Sequence, residues 1–280
     1  MTIRIVTDSA CDLPQYLVDQ YKISIVPLSV RFGEHEFIDR QDLTTEQFWK
    51  RCDSSPVLPE TAAPSPGQFE AEFRKLAAEG ATGIVMISLS GILSATMQSA
   101  ELAAKAVAGH ISVRVVDSRS GSMGQGITVI ACAKLAATGA SLDEVAAVGD
   151  NLAHRSKVWG ALDTLENLKK GGRIGGAKAM LASALSIKPI IEVRDGVVQE
   201  GGKQRTRSKA LAFLVDKVRE ASANPGIGQL CVLHADCSDV DAFVGQLKAV
   251  YSGEILVGEI GAVVGAHAGR GTIGVAFFEN

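Results

Sequence analysis

The clearest structural pattern in the chain lies in residues 83–116, GIVMISLSGILSATMQSAELAAKAVAGHISVRVV. It predicts a buried strand over 83–88, a loop that contains serines, a helix over 94–108 and a second strand over 111–116. Strands that alternate with helices at this spacing belong to a parallel sheet that helices cover on both faces. We therefore expect an α/β fold around this segment.

The same alternation extends over the first half of the chain. It predicts strands over 3–7 and 23–32, and helices over 14–21, 44–51, 67–79, 124–138 and 141–155. Between the second and third of these helices lies a Pro- and Ser-rich connector, residues 54–66, which we expect to lack regular structure because proline has no backbone N–H to donate.

The regular alternation of predicted strands and helices ends after about residue 155. Strands are predicted over 158–162, 187–193, 197–201, 229–234, 254–258 and 272–278, with helices over 206–221 and 240–251. Arg194-Asp195-Gly196 supplies a tight hairpin turn between two of these strands. We predict two domains: an N-terminal parallel α/β domain at 1–157 and a C-terminal α+β domain at 158–280.

Charge and hydropathy exclude several classes of function. The chain has 28 Lys and Arg against 31 Asp and Glu, a net charge of −3, and its aromatic content is 5%. It therefore offers neither the basic surface nor the stacking platforms that nucleic-acid binding needs. No apolar run approaches the roughly 18 residues of a membrane span, and the start lacks the pattern of a signal peptide. We expect a cytoplasmic protein.

The five cysteines are scattered and include no C-x-x-C pair, so reduced thiols are expected. Cys231, His234 and Cys237 lie close together in sequence and raise the question of a metal site. A buried strand over 228–235 would point Cys231 and His234 to opposite faces. We therefore predict core cysteines and no metal.

Polar residues recur where strands or linkers turn toward helices. They are Asp8-Ser9, Thr61, Ser88, Ser90, Ser94 and Asp117-Ser118. In an open α/β sheet, the loops at the carboxyl ends of strands form the ligand crevice, where hydroxyls suit a carboxylate or a phosphate. Helix capping is an equally good explanation of the same residues.

The sequence GAHAGRGTIG, residues 265–274, contains the spacing G-x-G-x-x-G. A dinucleotide site needs that motif between a strand and a helix, but here the chain ends six residues later after a strand-like segment. What remains is His267, which we place in a flexible glycine loop. A lone histidine is usually structural, although small neighbours make a ligand contact credible here.

Basic residues gather at Lys169-Lys170, Arg173, Lys188 and 203–209. They form either a solvated face or a docking surface for a partner or an anion. The usual catalytic signatures G-x-S-x-G, H-E-x-x-H and G-x-x-x-x-G-K-[ST] are missing from the sequence.

Several motifs in combination point further. They are VTDS (6–9) with DLP (12–14), TAAPSP (61–66), LSATMQSA (93–100), VDS (116–118) with SMGQG (122–126), LKKGGRI (168–174), IKP (187–189) and GAHAGRG (265–271). Together they resemble the DegV family of bacterial fatty-acid-binding proteins. No single motif is decisive, but they occur in the family's order from residue 3 to the end of the chain.

The resemblance implies a two-domain fold with a long-chain fatty acid held between the domains and no cofactor. It also implies that the carboxylate is presented to a separate fatty acid kinase, which converts it to an acyl phosphate for phospholipid synthesis. The implied carboxylate contacts are Thr61, Ser94 and His267, with Ser90 nearby. Arg173 would lie on the surface that meets the kinase.

The chain departs from the family pattern at three places. Ala62 and Ala63 stand where the family has Ser and Gln, Ala95 stands where it has Gly, and Arg270 stands where it has Pro. Arg270 is therefore expected beside the head group, where it would pair with the carboxylate or change partner docking.

An alternative from another class stays open at this point. The protein would then be an enzyme, a hydrolase or transferase, acting on a small phosphorylated or carboxylated substrate. His267 would act as its acid/base and Ser94 as its nucleophile.

Overall fold

The computed structural model describes residues 2–224 and 226–280, with the backbone alone at 183–186. In chain order its strands are β1 (Ile3–Asp8), β2 (Ser24–Val26), β3 (Ser29–Phe32), β4 (His35–Ile38), β5 (Glu60–Ala62), β6 (Gly83–Ser88), β7 (Val113–Asp117), β8 (Ser156–Ala161), β9 (Lys188–Arg194), β10 (Val197–Gln204), β11 (Ile227–His234), β12 (Ile255–Glu259) and β13 (Ile273–Glu279). Its helices are α1 (Gln15–Gln20), α2 (Thr45–Ser54), α3 (Pro66–Ala78), α4 (Thr96–Ala106), α5 (Met123–Ala137), α6 (Leu142–Arg155), α7 (Glu166–Lys170), α8 (Arg207–Ala223), α9 (Val240–Lys248) and α10 (Ala262–Ala268).

The first sheet is parallel, in the order β2-β1-β6-β7, as the sequence pattern predicts. Strand β6 is buried along its whole length because helices cover both of its faces. Ile84 and Met86 pack with residues of α3 and α4. Val85 and Ile87 point the other way and pack with residues of α5 and α6. This two-sided burial explains why the strand is a continuous apolar run rather than an alternating one.

The second sheet has the order β10-β9-β8-β13-β11-β12 and is mixed. Strands β11 and β12 are parallel, whereas the other neighbours are antiparallel. Helices α8 and α9 cover one face, where Leu214 and Phe243 pack against Val232 and Val275. The parallel first sheet and the mixed second sheet confirm the predicted α/β plus α+β fold class.

A third, small antiparallel sheet in the order β4-β3-β5 corrects two predictions. The segment 23–32 is two strands in different sheets, because Pro27 cannot donate a ladder hydrogen bond and the chain leaves the first sheet there. The connector 54–66 is not wholly irregular, since β5 lies within it. This three-residue strand fits between Pro59 and Pro64 and pairs Thr61 with Val30 of β3.

His267 lies in helix α10, not in a glycine loop as the sequence analysis expected. The segment that contains it, AVVGAHA, consists mostly of small or apolar residues, which a buried helix accepts. Gly269 ends the helix with a φ of 81°, a conformation that glycine adopts without steric cost.

Helix α5 lies between the first and the second sheet. One apolar cluster contains Ile5 of β1, Ile127 of α5 and Leu233 of β11, so the two halves share a core. The change of sheet falls between β7 and β8, across helices α5 and α6. The domain division at 157/158 stays a prediction.

Close packing of α5 against the first loop gives a stability prediction. A β-carbon at Gly126 would lie 2.8 Å from the backbone oxygen of Cys11 and 3.0 Å from Leu13 Cδ2. We expect Gly126→Ala to lower the free energy of unfolding by about 1–3 kcal/mol, as overpacking does. Gly245→Ala in α9, where nothing lies within 4 Å, is the control and should be neutral or stabilising in urea unfolding. Equal stability of the two variants would contradict the packing argument.

Candidate functional site

A cavity lies between the two halves of the molecule and encloses about 890 Å³, its mouth included. Most of its wall is aliphatic. The first half contributes Leu28 and Leu89, and the second half contributes Val158, Ile191, Leu233 and Val263 among others. The wall chemistry suits a long apolar ligand.

Six polar residues line this cavity: Thr61, Ser94, Ser122, Arg173, His267 and Thr272. The hydroxyls of Ser122 and Thr272 donate within the protein, to Asp12 and to the carbonyl of Ala268, which leaves Thr61, Ser94, Arg173 and His267, from four different segments. Thr61 Oγ1 and His267 Nε2 are 2.9 Å apart and share a hydrogen bond, although 206 positions separate them in sequence. The structure thus brings together the three residues predicted to contact a carboxylate and adds Arg173. Their role as ligand contacts stays a prediction.

Local structure positions each hydroxyl. Thr61 is fixed by the pairing of β5 with β3. The N–H of Ser94 donates to the carbonyl of Ser90 at 3.1 Å, and Ser94 Oγ bonds to Thr96 Oγ1 at 2.9 Å. The N–H of Thr96, the first residue of α4, donates to Ser94 Oγ at 3.3 Å, so this serine also satisfies one of the free N–H groups at the start of the helix. The capping and the binding interpretations of Ser94 are therefore compatible.

Helix α10 holds His267 between neighbours that leave it little room. A β-carbon at Gly265 would approach the rings of Phe48 and Trp49 to 2.8 Å, so only glycine lets the helix pack so closely against α2. Asn167 Nδ2 donates to the carbonyl of Ala266 at 3.2 Å. A β-carbon at Gly171 would collide with His267 Nδ1. The imidazole is thereby held in one orientation.

His267 is neutral at pH 7. Burial in the first place, and then the positive charge of Arg173, lower its pKa from 6.5 to about 4. Nδ1 is buried without a partner among the described residues. We assign the proton to Nε2, because a buried N–H without an acceptor would leave an unsatisfied donor. Nε2 then donates to Thr61 Oγ1, which leaves the threonine hydroxyl hydrogen free for a ligand.

Arg173 lies at the mouth of the cavity. Its Nε donates to the carbonyl of Leu93 at 3.0 Å, and its Nη1 donates to the carbonyl of Gly171 at 2.7 Å. Among the described residues, no carboxylate lies within ion-pair distance of it. Sequence reasoning assigned Arg173 to partner docking and missed its place beside His267, because the basic cluster gave no sign of which side chain turns inward. The docking role itself stays a prediction.

Ser90 does not line the cavity. Its Oγ donates to the carbonyl of Gly196 at 2.6 Å, and Arg119 forms an ion pair with Asp195 at 2.8 Å beside it. Ser90 therefore ties the β9–β10 turn to the first half of the molecule. This bond explains its burial without a ligand, and a direct contact between Ser90 and a carboxylate remains a prediction that the geometry does not support.

The Arg270 side chain also contacts residues that lie outside the cavity lining. Its guanidinium forms ion pairs with Asp53 at 3.1 Å and Asp236 at 2.9 Å, and it lies 5.6 Å from the ring centre of Trp49. It is not among the residues that line the cavity. These contacts weigh against the expected place of Arg270 beside the head group.

The enzymatic alternative needs Ser94 within hydrogen-bond reach of His267. In the described structure, Ser94 bonds to Thr96 and His267 bonds to Thr61, so the two form no nucleophile–base pair.

Over the described residues, no group of three or more His, Cys, Asp or Glu side chains is arranged to hold a metal ion. Cys231 lies in the core between the sheets, and His234 Nδ1 accepts a hydrogen bond from the N–H of Cys237.

The charge of Arg173 gives a testable pKa prediction. Because its positive charge disfavours a second proton on the imidazole, Arg173→Gln should raise the pKa of His267 toward 6.5 without fully restoring it, since burial remains. An NMR titration of the His267 Cε1–H resonance measures this shift. Arg270→Gln is the matched control, because its ion pairs with Asp53 and Asp236 hold its charge elsewhere. An equal effect of both variants would refute the assignment.

Comparison with known proteins gives one consistent result. The family model described as "Uncharacterised protein, DegV family" matches residues 2–280. A DegV domain-containing protein of Streptomyces coelicolor is 33% identical over 277 residues, which cover 98% of this chain and 97% of the relative. A structure described as fatty acid binding of a DegV family protein from Thermus thermophilus is 35% identical, with full coverage of both chains and a TM-score of 0.92.

A further solved structure, described as a stearic-acid-binding protein from Eubacterium ventriosum, is 25% identical. The match covers 99% of this chain and 98% of that one, with a TM-score of 0.91. The matches in sequence and in fold cover essentially the whole chain, as the ordered motifs do. The chain belongs to the DegV family.

Proposed function

We propose that the protein binds a long-chain fatty acid in the cavity between its halves. The observation that carries this proposal is the form of that cavity: an aliphatic space with Thr61, Ser94, Arg173 and His267 along its wall. The ligand is therefore amphiphilic, with one apolar tail and one small anionic head. The two relatives described as binding fatty acids, at 35% and 25% identity, support the same ligand class.

Burial of the tail supplies most of the affinity. A chain of about 15 carbons contributes roughly 12 kcal/mol at about 0.8 kcal/mol per methylene. Ordering of the chain and loss of its translational freedom offset much of that. The head-group contacts then orient the ligand more than they hold it.

The head group needs partners because an unpaired buried carboxylate is costly. The Thr61 hydroxyl, freed by the His267 tautomer, and the Ser94 hydroxyl donate hydrogen bonds to it. Arg173, which has no carboxylate partner among the described residues, supplies the opposite charge. A neutral His267 avoids a second positive charge that would bind the head group too tightly for transfer.

We propose further that the protein does no covalent chemistry itself and presents the carboxylate to a fatty acid kinase. In that reaction a carboxylate oxygen attacks the γ-phosphorus of a nucleoside triphosphate on the kinase. The bond between the γ-phosphorus and the oxygen that bridges it to the β-phosphate breaks, and the products are an acyl phosphate and a nucleoside diphosphate. A groove lined by Gly91, Ser94, Gln98 and Arg173 adjoins the cavity mouth and gives such a partner access. Arg173 would contribute to docking from this position.

The proposal places the protein in the cytoplasm, where a kinase and its nucleotide would be available. In the described part of the chain, every helix is too short or too polar to cross a bilayer. On this proposal, lipid is held inside the protein.

A bulky side chain in the cavity should exclude the tail. Gly160 of β8 lines the cavity, and a β-carbon there makes only ordinary contacts, 3.5 Å from Ile191 and 3.6 Å from Leu162. We expect native mass spectrometry to find fatty acid on the wild-type protein, or on delipidated protein after rebinding, and much less on Gly160→Leu. Gly245→Leu, at an exposed position of α9, should bind normally. Absence of fatty acid from the wild-type protein in both preparations would sink the proposal.

Loss of a head-group contact should weaken both binding and presentation. We expect Ser94→Ala to raise the fatty acid Kd about ten- to hundredfold, since a hydrogen bond to a charged group contributes about 1.5–3 kcal/mol. His267→Ala should also raise the Kd, because it removes the donor that orients the Thr61 hydroxyl. Acyl phosphate formation with a cognate kinase should fall as well. Ser112→Ala and His110→Ala, both exposed and outside the cavity, serve as controls. Unchanged Kd and turnover in Ser94→Ala and His267→Ala would refute the site.

A further inference from the structure

Residues 8–12, the end of β1 and the turn that follows it, contain buried acidic and hydroxyl side chains that the head-group site does not use directly. Asp8 is fully buried, Ser9 is 2% exposed and Asp12 is 5% exposed. None of them is among the residues that line the fatty-acid cavity. The burial of two carboxyl groups costs free energy unless they accept hydrogen bonds. The hydrogen-bond partners of Asp8 and Asp12 therefore indicate what these residues do.

Asp8 holds the segment that leads to Ser94. Its Oδ2 accepts a hydrogen bond from the N–H of Leu89 at 2.8 Å, directly after the end of β6. Its Oδ1 accepts from the N–H of Ala10 at 3.1 Å. The start of the loop that carries Ser94 is therefore fixed to the end of β1.

Ser9 holds the segment that leads to Thr61. Its Oγ accepts a hydrogen bond from the N–H of Leu28 at 3.1 Å. Leu28 immediately precedes β3, and β3 pairs with β5 so that Val30 lies opposite Thr61. Ser9 is therefore connected to Thr61 through a single strand, β3.

Asp12 holds the segment that carries His267, across the boundary between the halves. Its Oδ1 accepts a hydrogen bond from the N–H of Gly261 at 2.9 Å, directly before α10. Its Oδ2 accepts from Ser122 Oγ at 2.6 Å, directly before α5. His267 lies six residues beyond Gly261, about 9 Å along the helix. A shift at the start of so short a helix reaches the imidazole.

We propose that residues 8–12 are the common anchor of the head-group site, and that Asp12 is the positioning residue that holds His267 against Thr61. The proposal rests on the proposed function for the meaning of the site, but its contacts do not depend on a ligand. Asp8, Ser9 and Asp12 each accept a backbone N–H from one of the three segments that carry Ser94, Thr61 and His267.

The setting of Asp12 agrees with this role. Burial raises its pKa to about 7, although the hydrogen bonds from Ser122 and Gly261 oppose that rise. Asp39 and Arg40 also act on it, the first raising its pKa and the second lowering it. Gly261 has no side chain, and a β-carbon there would lie 2.9 Å from Asp12 Oδ1. The contact therefore requires glycine at this position.

The test compares two substitutions of Asp12. Asp12→Ala removes both acceptors, whereas in Asp12→Asn the amide oxygen accepts from Gly261 and the amide nitrogen donates to Ser122 Oγ. In Asp12→Ala we expect the His267 Cε1–H resonance to move, its pKa to rise toward 6.5 and the Kd for palmitate to rise at least tenfold. In Asp12→Asn we expect wild-type values for all three. The resonance is assigned by its loss in His267→Gln.

Leu247→Ala is the matched control. Leu247 is fully buried in α9 against the outer face of the second sheet, away from the cavity, so its truncation lowers stability without touching the site. It should leave the His267 resonance and the Kd unchanged. If Asp12→Ala does not fold, Gly261→Ala, which pushes the start of α10 away from Asp12, should give the same changes in His267.

Two outcomes would overturn the inference: an unchanged His267 resonance in the folded Asp12→Ala or Gly261→Ala protein, or an equal change in Leu247→Ala. A wild-type protein that neither carries fatty acid nor rebinds it after delipidation would instead refute the proposed function. In that case the His267 titration of the ligand-free protein still decides the positioning role, so the two failures are distinguishable.

Discussion

Helix α5 is buried between the two sheets, and its packing sets how the two halves of the molecule are joined. Its residues face β1 on one side and β11 on the other, so it is apolar almost all round rather than amphipathic. A helix of this kind cannot be exposed on either face, and it therefore fixes the two halves against each other. The cavity is the space beside this contact that the two halves enclose.

The first loop depends on the same contact. Gly126 lets α5 approach the backbone of Cys11, and the residue before the helix, Ser122, donates to Asp12. The loop in turn reaches the segments that carry Thr61, Ser94 and His267. Packing of one apolar helix is thus connected, through a few hydrogen bonds, to polar groups from distant parts of the chain. Electrostatics completes the arrangement, because burial keeps His267 neutral and leaves Arg173 as the charge beside it.

Much of the fold was predictable because hydrophobic periodicity reports burial directly. The segment 83–88 is a strand with the predicted bounds, and most helices agree within a few residues. The errors occur where local rules compete with tertiary pairing. Proline density argued against structure at 54–66, yet three residues between two prolines suffice for a strand that β3 stabilises. Glycine density at 265–274 suggested a loop around His267, yet burial against α2 and the cavity favours helix up to Gly269.

Ordered motifs allowed Thr61, Ser94 and His267 to be named as a group before any geometry was known. Sequence could not separate them from Ser90 and Arg270. The position of a hydroxyl near a strand end, or of an arginine beside a glycine, does not show which way the side chain points. Fold class and family were readable from the sequence because they follow from local pattern and from the order of motifs, and Thr61, Ser94 and His267 were named as candidate site residues on the same basis. Three-dimensional packing was needed to show that Ser90 bonds to Gly196, that Arg270 pairs with two aspartates and that Arg173 lies beside His267. Those choices depend on distances between segments that are far apart in the chain, which packing alone sets.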